Sequence, residues 1–190
     1  YMYGSMLEKG EKGQVDAGLG KTNSIGTVGL IAPTDLITKT GESKTIDGVK
    51  IEFIMAPGTE APAEMIMYFP QFKMLDTAED ATHTLHNLYT LRGAQVRDAA
   101  NWWKAIDLMQ STYGDKTDII IAQHHWPKWG QDNINAYLTK QRDAYKYIHD
   151  QTLNLANKGY TMNEIAEMVK LPDALAKEWS LRGYYGSVSH

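Results

Sequence analysis

Apolar and polar positions alternate between Val49 and Phe53, where Val49, Ile51 and Phe53 are separated by Lys50 and Glu52. Period-two spacing predicts a strand with one buried face and one wet face. Asp47 and Gly48 separate this run from Lys44 to Ile46, and Asp-Gly is a favoured pair for a two-residue hairpin turn. Two further short strands are predicted over Glu64 to Phe69 and Phe72 to Leu75, divided by Pro70. The apolar, β-branched run from Asp118 to Ala122 reads as a strand covered on both faces. Helical spacing begins after Asp98, which can cap a helix carrying Trp102, Trp103, Ile106 and Met109, closed by Gly114 and Asp115. A long helix follows from Asp132, with Ile134, Tyr137, Leu138, Tyr145, Ile148 and Leu155 on one side, stopped at Asn157 to Gly159. Thr161 and Glu164 form a capping box for another helix, and a last one is predicted from Asp173 to Leu181. Residues 1 to 28, rich in glycine and without periodicity, read as a long loop. The chain is therefore mixed α/β up to Gly130 and helical beyond it, which divides it into domains 1–130 and 131–190.

Composition narrows the function classes. The 190 residues carry 19 basic and 23 acidic side chains, a net charge of −4, which offers no general attraction to nucleic acid or anionic membrane. No cysteine is present, so disulfides and thiolate metal sites are excluded. No apolar run reaches the ~20 residues of a membrane span, and the opening residues lack the order of a signal peptide. A start on Tyr1 rather than methionine is expected of a fragment.

Metal-ligand chemistry is dense between Ala78 and Gly93, where Glu79, His83, His86, Asn87 and Arg92 crowd together. Two other stretches stand where strand patterns stop: Ala56 to Glu64, with Glu60 after Pro57, Gly58 and Thr59, and Gln123 to Gly130, with His124 and His125. Carboxylates and imidazoles delivered from separate strand ends are what a hydrolytic metal site requires. The residues alone also allow a plainer reading, in which Glu60 is a solvated loop carboxylate and most of the histidines are held by hydrogen bonds. Gly18 to Thr22 has a phosphate-loop flavour but lacks both the earlier glycine and a preceding strand.

Glu79 to Gly93, His124 to Gly130, Lys140 to Asp143, His149 to Leu153 and Arg182 to His190, together with Val15 to Gly20 and Thr27 to Ile31, closely resemble the bacterial linear alkylsulfatases of the metallo-β-lactamase superfamily. The resemblance implies the C-terminal half of a metallo-β-lactamase-type αββα sandwich, followed by the start of an all-helical dimerisation region. It implies two zinc ions in the complete parent, with Glu60, Glu79 and His124 as metal ligands and Glu79 as the bridge; His125 is the adjacent alternative to His124. Arg92 and Asn87 would bind the sulfate group. Tyr185, in a position where some relatives carry histidine, is a candidate catalytic group. The implied activity is hydrolysis of alkyl sulfates such as dodecyl sulfate to alcohol and sulfate, by a homodimer that is periplasmic or secreted.

One departure matters. The family's His-x-His-x-Asp-His motif is absent here, and the spacing of His83 and His86 does not replace it, which assigns both to supporting or structural roles. A full dinuclear site cannot be built from Glu60, Glu79 and His124, so the isolated chain is expected to be inactive or nearly so. The alternative is a helix-turn-helix DNA-binding module, or a non-catalytic helical interaction module, over Gly159 to Trp179. Over Thr161 to Arg182, four acidic side chains (Glu164, Glu167, Asp173, Glu178) against three basic ones (Lys170, Lys177, Arg182) weigh against the DNA reading.

Overall fold

The computed structural model describes Glu8 and residues 10–13, 29–89 and 95–190. Contacts divide the chain into two units, Tyr1–Leu36 with Tyr89–Val96, and Ile37–Leu88 with Arg97–His190. The second unit holds the sheet, the helices and the candidate site. The predicted loop over residues 1 to 28 and the candidate Arg92 lie almost entirely, and Arg92 wholly, outside the described residues.

Six strands form one sheet in sequence order: β1 (Ser43–Ile46), β2 (Val49–Met55), β3 (Met65–Phe69), β4 (Met74–Asp76), β5 (Ile119–Ile121) and β6 (Lys128–Trp129). β1 and β2 form the expected hairpin, with Ile46 opposite Val49. Its turn puts Asp47 at φ 49° and Gly48 at φ 82°, a double left-handed step that Asp-Gly tolerates at low cost. The predicted alternation in β2 gives way at its far end, where Phe53 and Ile54 are both buried and Ile54 joins the main core cluster. The fourth strand starts later than the sequence suggests. Pro70–Phe72 forms one turn of 3₁₀ helix, and Lys73 at φ 45° reverses the chain before β4 begins at Met74.

Strand direction decides where the loops go. β2 pairs antiparallel with β3, β3 antiparallel with β4, and β4 parallel with β5. Strands β2, β4 and β5 therefore run the same way, and the segments leaving their C-terminal ends emerge at one edge of the sheet. Those segments carry Glu60, Glu79 and His124 respectively.

Helices α1 (Ala99–Tyr113) and α2 (Gln131–Asn157) pack against the sheet. Asp98 caps α1 as predicted, accepting from the amides of Ala100 at 2.8 Å and Asn101 at 3.1 Å. Ile54, Ile66, Leu75 and Ile120 from the strands meet Trp102, Ile106 and Met109 from α1 and Ile134, Leu138 and Tyr145 from α2 in a single buried cluster. Thus α2, which starts immediately after Gly130, shares its core with the sheet. A second cluster, with Leu85, Ala144, Ile148, Leu175 and Leu181, fastens the C-terminal segment to the other side of α2. Gln141, fully buried, ties these parts by donating to the carbonyls of Thr82 and Ser180, each at 2.8 Å.

The capping box appears at α3 (Met162–Met168), where the Thr161 amide donates to Glu164 at 2.8 Å. The predicted last helix is broken: α4 covers only Asp173–Ala176, and Trp179–Leu181 is a separate 3₁₀ turn. Among the described residues, no helix is long and apolar enough to cross a membrane.

Candidate metal and anion site

Each strand-end segment is locally fixed. After β2, Gly58 at φ 76° turns the chain, the Thr59 hydroxyl donates to the Ala56 carbonyl at 2.6 Å, and the Asp98 amide donates to the Gly58 carbonyl at 2.8 Å. That arrangement presents Glu60. After β4, the Thr77 amide donates to the Ile121 carbonyl at 2.9 Å and the Ala78 amide to the Asp76 carboxylate at 2.9 Å, with Ala78 left-handed at φ 49°. That arrangement presents Glu79. After β5, the Gln123 amide donates to the Ala78 carbonyl at 3.2 Å, which ties the segment bearing His124 to the one bearing Glu79.

Glu60 and Glu79 come together with His86 rather than with His124, which reaches Glu79 alone. His124 Nε2 lies 3.4 Å from Glu79 Oε1, while His86 Nε2 lies 3.0 Å from Glu79 Oε2 and 4.0 Å from Glu60 Oε1. One ligand atom each from Glu60, Glu79 and His86 falls within 4.8 Å of the others. His86 is deeply buried, and burial lowers its pKa despite the opposing pull of the Asn87 carbonyl and Glu79. His83, three residues earlier, faces elsewhere. It sits among Tyr137, His125, Trp126 and Trp179, with ring centroids 5.0 to 6.2 Å away.

Anion-site candidates adjoin this cluster. Asn87 Nδ2 donates to the Tyr185 carbonyl at 3.2 Å, and the Tyr185 ring stands edge-on to His86 at 4.7 Å. Chain reversal allows this contact: Leu85 bridges Gly183 in parallel, and Gly186 lies so close to His86 and Asn87 that a Cβ there would overlap their backbone. A buried basic residue joins them. Arg97, almost wholly buried, donates to Glu60 and to Asn87. Neither His86 nor Arg97 was marked by sequence spacing as a member of the cluster.

Carboxyl groups are concentrated here. Burial raises the Glu64 pKa to about 7, with the charges of Glu60 and Glu79 adding to the shift. Asp80 is fully enclosed and pushed well up by burial, offset only in part by Thr59 and the Glu60 backbone. Such a cluster of carboxylates with a buried imidazole suits a divalent cation, since oxygen and imidazole donors match zinc or a similar ion and positive charge relieves the repulsion.

His83 gives a pH-dependent stability. Burial, reinforced by His125, Lys128 and Arg182, lowers its pKa from 6.5 to about 4. The unfolded chain takes up the proton more readily, so the contribution is complete above 6.5 and is lost as pH falls through about 4. The loss should be no more than about 3 kcal/mol. Glu64 acts oppositely over part of this range, so the readout is the difference in urea midpoint between wild type and His83→Phe at pH 7, 5.5 and 4. A gap that shifts steadily in favour of His83→Phe on acidification is expected; a constant gap would contradict it.

Known proteins match the whole of this chain. Residues 161–190 match the family model described as alkyl sulfatase dimerisation. An alkyl/aryl-sulfatase of Saccharomyces cerevisiae is 56% identical over 190 residues, covering 100% of this chain and 29% of that protein. A linear primary-alkylsulfatase of a Pseudomonas species is 55% identical, covering 100% and 28%. The solved structure of a stereoselective inverting sec-alkylsulfatase from a Pseudomonas species superposes with a TM-score of 0.84 at 49% identity, over 98% of this chain and 30% of that one. These relatives are alkylsulfatases. The chain spans less than a third of their length, and the yeast match shows that the likeness is not confined to bacteria.

Proposed function

We propose that a protein carrying this chain is an alkylsulfatase of the metallo-β-lactamase type, which hydrolyses alkyl sulfate esters to alcohol and sulfate. One observation carries the reading: Glu60, Glu79 and His124 leave three codirectional strands at the same sheet edge, with His124 and His86 both within reach of Glu79. Half-identity to alkylsulfatases along the whole chain supports it.

Glu60, Glu79 and His124 would hold metal, with His86 behind Glu79 or beside it. When bound, zinc supplies a water whose pKa falls from about 15.7 toward about 7, and positive charge for the sulfate oxygens. Asn87 and Arg92 would bind and orient the sulfate group, for which an arginine fork suits a pair of oxygens. Tyr185, whose ring stands edge-on to His86, would serve as a proton-transfer group beside the bound ester. Because Glu60, Glu79 and the two histidines make only part of a dinuclear ligand set, we propose that turnover belongs to the longer protein and that the 190-residue chain alone is inactive. Residues 161–190 would join two copies, and they leave Met162, Trp179 and Tyr184 exposed for that contact.

A DNA-binding role fits poorly. α4 is a single turn whose Leu175 is buried against α2, so no free recognition helix exists among the described residues. The test is sulfate release from dodecyl sulfate by the longer protein, with and without a chelator. Release that the chelator stops and zinc restores is expected; chelator-insensitive release, or none, would contradict the proposal.

A further inference from the structure

We infer that Arg97 is a positioning residue that holds the candidate metal ligand Glu60 and the candidate sulfate ligand Asn87 in one frame. This rests on the proposed metal-and-sulfate reading of the site. Arg97 is 8% exposed, and its guanidinium faces acceptors on both sides. Nε donates to the Glu60 carbonyl at 2.6 Å and Nη2 to Glu60 Oε1 at 2.5 Å. On the other side Nη1 donates to Asn87 Oδ1, and more distantly to the Asn87 carbonyl at 3.5 Å.

These bonds constrain both ligands in defined ways. Two bonds to one residue, one to its backbone and one to its carboxylate, fix the Glu60 side chain relative to its own loop. By occupying Oδ1, Arg97 also sets the amide orientation of Asn87, so that Nδ2 is the end directed toward the Tyr185 segment. A buried guanidinium is costly unless its donors are matched, and here they are matched by the two residues the proposed chemistry needs. Lysine offers a point charge without the fork and cannot hold both sides in this geometry.

The fold has its own fastening at this point. The Arg97 amide donates to the Leu88 carbonyl at 2.9 Å and the Asp98 amide to the Gly58 carbonyl at 2.8 Å, so the backbone already joins the Glu60 and Asn87 segments. The side chain is therefore free for alignment. Partners that orient a metal ligand typically account for 10–100-fold in metal affinity.

The experiment measures the zinc dissociation constant of the longer protein by chelator competition for wild type, Arg97→Lys, Arg97→Gln, Glu60→Gln and the double variant, with thermal melting alongside. Arg97→Gln should weaken zinc binding about 10–100-fold, with Arg97→Lys between it and wild type. In the Glu60→Gln background the Arg97 change should cost little more, since the residue it aligns is already lost. A purely structural role predicts a lower melting temperature with unchanged zinc affinity, or losses that add in the double variant; either result overturns the inference. Tighter zinc binding in Arg97→Gln also overturns it, by showing that the guanidinium merely repels the cation. Absence of zinc binding by the wild type would instead overturn the metal reading, and this inference with it.

Discussion

Trp102→Ala is expected to lower the free energy of unfolding by about 3–5 kcal/mol, the range for removing a buried aromatic side chain. Trp102 is fully buried, stacks on Tyr145 with ring centroids 4.7 Å apart, and donates from Nε1 to the Asp80 carbonyl at 2.7 Å. It therefore joins α1 to α2 and both to the segment carrying Glu79. Alanine leaves a cavity between the helices and a buried carbonyl without its donor, and these costs add. The effect should reach the site, because Tyr145 accepts from the His86 amide at 3.1 Å and Trp102 lies 5.3 Å from the His86 ring. Against a typical total of about 5–15 kcal/mol, the loss is severe. Urea unfolding checks it. Trp102→Phe, which keeps most of the packing and loses the Asp80 bond, should fall between wild type and alanine; a change below about 1 kcal/mol for alanine would show that the two helices are held elsewhere.

Glu79→Ala is expected to abolish alkyl sulfate hydrolysis by the longer protein and to weaken zinc binding by more than about 100-fold, beyond the cost of losing an orienting partner. Glu79 is where the two imidazoles meet, His86 at Oε2 and His124 at Oε1. No neighbouring carboxylate replaces it in that position: Glu60 is engaged by Arg97, and Asp80 is enclosed and pushed toward its neutral form. The loss should appear without a matching loss of stability, since the Glu79 side chain is about one quarter exposed. Parallel thermal melts and zinc titrations check this, and an active alanine variant would remove Glu79 from the proposed chemistry.

Much of the fold was legible because its signals are local. Asp47 and Gly48 specify their turn by the φ values they tolerate, Asp98 caps α1 by its own side chain, and Thr161 and Glu164 close a box within four residues. Failures came where a neighbour outweighed the local pattern. Pro70 marks a break between strands in the sequence, but the 3₁₀ turn it starts extends through Phe72 and delays β4. The Asp173 to Leu181 pattern is interrupted because Leu175 and Leu181 both dock on α2, which a continuous helix would not achieve in this register.

The site was half legible for a related reason. Glu60, Glu79 and His124 follow strand patterns, so strand ends mark them; their meeting depends on β2, β4 and β5 sharing a direction, which only the pairing reveals. His86 lacks the spacing of a metal motif and enters through the turn after Glu79. Arg97 reads in sequence as the residue before a helix cap, and nothing in the pattern shows that its side chain turns back to Glu60 and Asn87.

The most direct test is a zinc titration of the longer protein with a competing chelator, repeated for Glu60→Gln, Glu79→Gln and His124→Asn. The wild type is expected to bind zinc, with each substitution weakening the binding without unfolding the protein. Binding unchanged by all three, or no binding by the wild type, would contradict a metal site at this edge of the sheet.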